Sequence, residues 1–218
     1  MGKVVAEITI SLDGFVAGPN PTFEQPLGQG GEQLHEWAVR LKSWREPHGL
    51  TGGETGPEDE LVTESLRAVG AVVMGRHMFS GGDGPWENDT NATGWWGDEP
   101  PFHKPVFVVT HHEREPLVLQ GTTFTFVTEG LETAIDDARA AAAELDVLVA
   151  GGADTIDQAI NAGLVDELQL HVAPVLLGAG TRLFDGVAPE LPRFEITQVL
   201  ESPVVTHLRY RVLPPTGQ

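Results

Sequence analysis

The stretch Val147 to Phe184, VLVAGGADTIDQAINAGLVDELQLHVAPVLLGAGTRLF, constrains the fold more than any other part of the chain. Val147 to Ala150 is an apolar run whose length and β-branched content suit a buried parallel strand. Gly151 and Gly152 then let the backbone turn sharply and leave no side chain above the strand end. Ile156, Ala159 and Ile160 give the next segment one apolar helical face, and Gly163 fits its C-terminal cap. From Glu167 to Val175, Leu168, Leu170 and Val172 alternate with Gln169, His171 and Ala173 until Gly178 and Gly180 break the pattern. The unit is strand, glycine turn, helix, strand.

Its chemistry lies in the turn. A helix that opens directly after a glycine pair presents free backbone N–H groups and the positive end of its dipole, which suits a phosphate or pyrophosphate. A plainer reading makes Asp154 the N-cap, with Asp157 three residues later, so that the N–H groups are satisfied internally. The turn alone leaves both open.

At 218 residues the chain is long enough for one domain with a full core. It has no cysteine, which removes disulfides, thiolate catalysis and thiolate-bound zinc together. Glu7 and Asp13 interrupt the start where an export signal needs an unbroken apolar core. No stretch is long and apolar enough to span a bilayer, so a cytoplasmic protein is expected. A formal net charge of -19 speaks against nucleic-acid and anionic-membrane partners, both of which need a basic face. An anionic ligand would need the few basic residues gathered around it.

Lys3 to Leu12 reads as a first strand, with Val4, Val5, Ala6, Ile8 and Ile10 as its apolar bulk. It runs into a loop, Ser11 to Asn20, with Ser11 and Asp13 polar at its mouth. Leu34, Trp37, Ala38, Leu41 and Trp44 recur at helical spacing to about Arg45. After Gly49 to Pro57 a second helix covers Glu58 to Val69. It turns Glu58 inward with Leu61, Val62 and Ser65, sets Asp59 at the edge, and points Glu60 and Glu64 outward. Ala71 to Met74 is a buried strand ending in Gly75-Arg76-His77, where Gly75 permits close approach and Arg76 offers a planar fork suited to phosphate. Ser80 to His103 is long for a loop, and Trp86, Trp95 and Trp96 point to a packed lid or interface.

Pro105 to Thr110 is a third parallel-type strand, ending in a basic cluster of His111, His112 and Arg114 with Lys104. The adjacent histidines lack any H-E-x-x-H spacing, so no metal site is expected. Thr123 to Val127 is a strand, and Leu131, Ile135, Ala138, Ala142 and Leu145 form one helical stripe. Phe194 to Leu200 and Val204 to Leu213 are joined so closely that they must pair antiparallel.

Alternating strands and helices imply an α/β fold: a mainly parallel central sheet with helices on both faces, closed by the antiparallel C-terminal hairpin. Ligands then bind beyond the carboxyl ends of the strands. Four of those ends are glycine-rich or polar: Ser11 to Gly14, Gly75-Arg76, Thr110 to His112 and Gly151 to Thr155. On one rim they would line a cleft for an anionic nucleotide. No G-x-G-x-x-G and no G-K-[ST] occurs, so the ordinary dinucleotide and P-loop signatures are absent.

Taken together, ISLDGFVAGPN, VVMGRHMF, PVFVVTH and VAGGADTIDQAINAGLVDELQLHVAPVLLGAGTRLF resemble the dihydrofolate reductase-like superfamily. They are most similar to the reductase domain of the bifunctional deaminase/reductase of riboflavin biosynthesis and its stand-alone relatives. The likeness covers most of the chain in order, and its last segment is the most specific. A chain without cysteine cannot carry the deaminase half's H-x-E and P-C-x-x-C zinc site, which leaves the stand-alone form.

The resemblance implies a dihydrofolate reductase-like fold over residues 1–218, with insertions at about 21–57 and 80–103. It implies NADPH as cofactor, a homodimer, and a small pterin- or pyrimidine-like substrate, as for 5-amino-6-(5-phosphoribosylamino)uracil reductase. Gly75, Arg76 and His77, with Gly151, Gly152, Ala153, Asp154 and Thr155, would approach the cofactor phosphates. Thr110, His111 and His112 would lie near the adenosine end, and Leu12, Asp13, Gly14 and Ala17 would border the nicotinamide. The glycine pair of dihydrofolate reductases can carry a cis peptide, for which Gly151-Gly152 is the candidate. Asp13 is the first candidate proton donor, followed by Glu58 and Asp59 by analogy with the helix carboxylate of dihydrofolate reductases. Asp13 equally suits a role in holding its own turn. The alternative on the same fold is a nucleotide- or flavin-binding protein without turnover.

Overall fold

The computed structural model describes residues 2–82, 84–89, 91–188 and 192–214; residues 83 and 90, in the second insertion, lie outside that set. The first half of the chain forms β1 (Val4–Ile10), β2 (Phe15–Ala17), α1 (Lys42–Arg45), α2 (Pro57–Ala68), β3 (Val69–Gly75), α3 (Arg76–Ser80) and β4 (Pro105–Val109). The second half forms β5 (Leu117–Leu119), β6 (Thr122–Val127), α4 (Leu131–Ala142), β7 (Asp146–Gly151) and α5 (Ala153–Asn161). It ends with β8 (Glu167–Val172), β9 (Thr181–Arg182), β10 (Arg193–Glu201) and β11 (Thr206–Leu213).

Among the described residues nine strands make one sheet in the order β10-β11-β8-β1-β7-β3-β4-β6-β5. Strands β8, β1, β7, β3, β4 and β6 are mutually parallel. The C-terminal hairpin adds antiparallel strands at one edge, as expected, and the short β5 adds one at the other.

Alternation decides which residues meet which layer. Val4, Ala6, Ala71, Val73, Val147 and Val149 face α4 and α5, where Ala134, Ile135, Ala138, Ile156 and Ile160 complete one core. Val72, Met74, Val106 and Val108 face the other way, against Phe79 of α3 and the partly buried Trp86, Trp96 and Phe102 of the second insertion. The same face of β8 meets α2, since Gln169 Nε2 donates to Ser65 Oγ (3.3 Å).

The helix expected to about Arg45 does not form. Residues 31–48 are short 3-10 turns and the four-residue α1, with Leu41 extended (ψ 145) between them. Lys42 N–H donates to Glu54 O and Glu54 N–H to Arg40 O, so Leu41 is held in a parallel bridge with Glu54 instead of coiling. The apolar stripe nevertheless marked burial, because Leu34, Trp37 and Leu41 are all in the interior. Leu145, expected on the stripe of α4, lies beyond the helix and is exposed; Ala143, at φ 56, ends the coil first. Val69 opens β3 instead of closing α2, and β8 stops at Val172 instead of Val175. Among the described residues no helix is long and apolar enough to cross a membrane, and no group of three or more His, Asp or Glu side chains is arranged to hold a metal.

Candidate functional site

The parallel strands deliver their carboxyl ends to one rim. There Ile10 lies beside Val172, Met74 beside Gly151, and Gly75 beside Val109. Residues 11–14, 151–155, 75–76 and 110–112 therefore stand in succession at the ends of β1, β7, β3 and β4. A Cβ on Gly75 would collide with Thr155 Oγ1, so glycine is what lets the β3 tip close on α5. Gly152 is the reverse case: a Cβ there would find none of the described residues beyond its chain neighbours within 4 Å. The Gly151–Gly152 peptide is cis.

No side chain caps α5, whose N-cap is Gly152. Asp154 instead accepts from Gln158 Nε2 (2.7 Å), and Asp157 accepts from the N–H groups of Phe184 (3.1 Å) and Gly186 (2.9 Å). Burial pushes Asp157 above the usual carboxylate range in spite of those bonds. The reading of these two aspartates as caps is thereby corrected, and the first turn of α5 opens beside the free space over Gly152.

Arg76 lies at the rim but turns its side chain inward. It is 7% exposed, donates through Nε to Ser80 Oγ (3.0 Å) and through Nη2 to Asp89 Oδ2, and stacks 3.1 Å from the centre of the Trp86 ring. Burial raises Asp89, but bonds from Ser80, Arg76 and the Asn91 N–H, with the charge of Arg76, leave it below its ordinary range. The fork is thus committed to the second insertion, and only buried Nη1 is without a partner. Arg114 covers the same tryptophan at 4.4 Å, and Trp86 Nε1 donates to the His112 carbonyl (2.7 Å). Thr110 is buried, its Oγ1 accepting from the His112 N–H (3.2 Å), while His77 and His111 are exposed.

Asp13 locks two loops together. Ser11 Oγ donates to its Oδ1 (2.6 Å), Leu177 N–H to Oδ1 (3.2 Å) and Gly178 N–H to Oδ2 (2.7 Å). The Ser11 bond is the largest influence on its carboxyl; desolvation opposes it, and the backbone bonds from Gly178 and Leu177 add to it, so that the carboxyl is held down to about 2. At neutral pH it carries no proton to give, so the turn-holding reading replaces that of first proton donor. Gly14 has φ 84, Ala17 ends β2 against β9, and Leu12 and Leu176 stand exposed on the lip above.

The helix carboxylates behave differently from each other. Asp59 Oδ1 accepts from the Ser43 N–H (2.7 Å) and anchors the first insertion. Glu58 faces inward, with Oε1 buried and without a hydrogen-bond partner among the described residues, 3.9 Å from His207 Nε2. His207 Nδ1 lies 2.7 Å from His171 Nδ1, and His171 Nε2 lies 3.0 Å from Glu7 Oε1. Trp37 packs over both rings, at 4.8 and 4.9 Å. Burial, then the neighbouring His171, hold His207 down to about 4, with Glu7 opposing. Sequence reasoning placed these histidines on strand faces without a role; only the pairing of His207 with His171 across β11 and β8 brings them together. A cavity of about 390 Å³ lies between the two insertions, walled in part by His48, Trp95 and Trp96, away from the strand tips.

Against this geometry stand the relatives. The family model described as the RibD C-terminal domain matches residues 2–208. The chain is 22% identical over 193 residues to the uncharacterized protein YyaP of Bacillus subtilis, covering 84% of this chain and 80% of that protein. A protein of Shewanella sp. PV-4, provisionally assigned to riboflavin biosynthesis, shares its fold with a TM-score of 0.61, at 21% identity over 96% of this chain and 98% of that one. The diaminohydroxyphosphoribosylaminopyrimidine deaminase/5-amino-6-(5-phosphoribosylamino)uracil reductase of Thermotoga maritima superposes with a TM-score of 0.56, at 14% identity over 97% of this chain but 56% of that longer protein. The fold is of the α/β class expected from the sequence, a mainly parallel sheet closed by an antiparallel C-terminal hairpin.

Proposed function

Because the chain belongs to the RibD C-terminal domain family, we propose that it is an NADPH-dependent reductase of a small pterin- or pyrimidine-like substrate. The observation that carries this reading is the open cradle at the rim: an uncapped α5 beside Gly152, whose missing Cβ leaves free space, with the β3 tip closed against it through Gly75. A pyrophosphate fits such a cradle through backbone N–H groups of residues 152–155. It does not need the Arg76 fork, which serves the fold. Thr110, His111 and His112 then border the adenosine end, and Leu12, Gly14 and Ala17 the nicotinamide.

A bound nicotinamide supplies the hydride. The chain's own residues do the rest. The Asp13 lock fixes the loops that carry Leu12 and Leu176, whose apolar side chains keep water from the ring's edge. Glu58, inward and unbonded, is the acid that protonates the reduced substrate. Asp59 holds the first insertion over it.

The test is titration of the protein with NADPH, NADH, FMN and FAD, followed by nicotinamide oxidation with a panel of dihydropterins, aminopyrimidines, quinones and aldehydes. Tight NADPH binding with turnover on a heterocycle is expected. Flavin binding without NADPH binding would reject this reading for the alternative, a flavin- or nucleotide-binding protein without turnover. The commitment of Asp13 and Asp59 to structural bonds is what favours that second reading. A homodimer joined through the C-terminal hairpin belongs to the same proposal.

A further inference from the structure

The cavity of about 390 Å³ between the two insertions has walls that are chemically one-sided. The first insertion contributes Pro47 and His48, the second Trp95, Trp96, Glu99 and Pro101. Such a volume takes a small organic ligand.

The aromatic walls are held from behind. Trp95 lies against Phe23, with ring centres 5.4 Å apart, and a Cβ on Gly81 would stand 2.8 Å from its ring. Trp96 packs at a steep angle on Phe102 (4.8 Å), and a Cβ on Gly94 would stand 3.0 Å from it. His48 stacks on Trp44 at 3.8 Å, with the planes 15° apart, and its Nδ1 lies 2.6 Å from the Trp44 carbonyl. A carbonyl only accepts, so Nδ1 carries a proton and Nε2 of the neutral ring is an acceptor.

What these walls offer is ring carbon and acceptors. The Trp96 Nε1 is buried, so that indole shows the cavity no donor. Glu99 is exposed, and no hydrogen bond or ion pair engages it among the described residues. No lysine or arginine is among the described lining residues. The cations that flank them in the chain are engaged elsewhere: Arg45 donates to Thr51 O, Lys42 pairs with Glu46, and Lys104 donates to Leu66 O.

We infer that this cavity binds a flat organic cation, an aromatic ring carrying a fixed positive charge. Tryptophan faces attract such a ring by stacking and through their quadrupoles, and Glu99 supplies the countercharge. The net charge of -19 draws cations toward the surface and repels anions, so an anionic nucleotide is disfavoured here. That separates this site from the cradle at α5. Because both insertions wall it, the ligand ties residues 47–49 to residues 95–101. The inference does not rest on the reductase reading.

Ring compounds of nearly one shape test it on the nucleotide-free protein: 1-methylquinolinium as cation, quinoline as its uncharged form and 1-naphthoate as anion. Binding is read by tryptophan fluorescence and calorimetry. The cation should bind at least about tenfold tighter than quinoline, and the anion more weakly than either. Glu99→Gln should cut that preference to about threefold or less and flatten its dependence on salt between about 0.01 and 0.15 M. Glu132→Gln removes the same charge from an exposed position in the first turn of α4 and should leave the preference unchanged. Trp95→Leu should abolish saturable binding in a protein that still melts cooperatively, and Trp95→Phe, which keeps a ring, should weaken it. Equal affinity for cation and quinoline, a preference that survives Glu99→Gln, or an equal loss in Glu132→Gln overturns the assignment. So does competition between the cation and NADPH. The nucleotide-free titrations stand whether or not NADPH binds, so failure of the reductase reading leaves this site in place.

Discussion

Arg76 and Asp13 show how a side chain of the right chemistry at the right position can be spent on structure. Arg76 and Asp89 form a pair with 7% and 6% of their side chains exposed, so removing either leaves the other charge buried and unpaired. Arg76→Ala and Asp89→Ala should each destabilise the protein by about 3–5 kcal/mol in denaturant melts, and the double variant by less than the sum. Loss of NADPH binding at unchanged stability would instead restore Arg76 as a phosphate ligand. For Asp13 the sign follows from the depressed value of about 2. Its unfolded counterpart titrates near ~3.9, so the lock contributes fully above about pH 4 and is lost as pH falls through about 2. The melting-temperature gap between wild type and Asp13→Asn should be constant from neutral pH to about pH 4 and close below it. A gap that instead tracked neutral pH would mean that Asp13 keeps its proton there.

Elements were legible where a single period ran through them. The residues of β1, β3, β4, β7 and α4 declared themselves by alternation or by an apolar stripe, and the glycine pair fixed the turn between β7 and α5. Three kinds of fact were not legible. Leu34, Trp37 and Leu41 repeat as a helix would, yet a parallel bridge from Leu41 to Glu54 interrupts the segment, because burial alone does not specify coiling. The strands β2, β5 and β9 span two or three residues and carry no pattern of their own. The pairing of Glu7, His171 and His207 depends on strand order, which alternation cannot supply. At the site, the order of the four tips follows from topology, whereas the direction of the Arg76 side chain depends on Asp89, thirteen residues away in an insertion. The cradle itself gives a test at this scale. Gly152→Ala adds a methyl group where none of the described residues beyond its chain neighbours lies within 4 Å, at φ -70, so it meets no clash with them. NADPH affinity should nevertheless fall by roughly tenfold or more, since that space is where the pyrophosphate lies (~1.4 kcal/mol per tenfold). Unchanged affinity by calorimetry would move the phosphates elsewhere.

The whole molecule poses a problem that its parts do not: a strongly acidic surface with an uncovered apolar edge. Strand β10 is exposed almost throughout, and its register shifts between Ile196 and Gln198. Ile196 opposes Tyr210 before the shift and Val199 opposes Leu208 after it, so the bulge keeps Phe194, Ile196 and Val199 on one face instead of letting Val199 rotate away. These three are 41%, 59% and 56% exposed, and beside them Leu208, Tyr210 and Val212 are only partly covered. Such a row is what the proposed homodimer would bury, through an isologous contact of hairpin on hairpin. Two copies each carrying a formal charge of -19 repel, and the range of that repulsion shrinks with salt. The Debye length drops from about 30 Å at 0.01 M to about 8 Å at 0.15 M. An apolar interface on an acidic protein should therefore tighten as salt is added, whereas one held by ion pairs would loosen. Light scattering across that range should show a dimer whose dissociation constant falls with salt, and Ile196→Lys should leave a folded monomer. A dimer that weakens with salt, or that survives Ile196→Lys, would place the contact on another face.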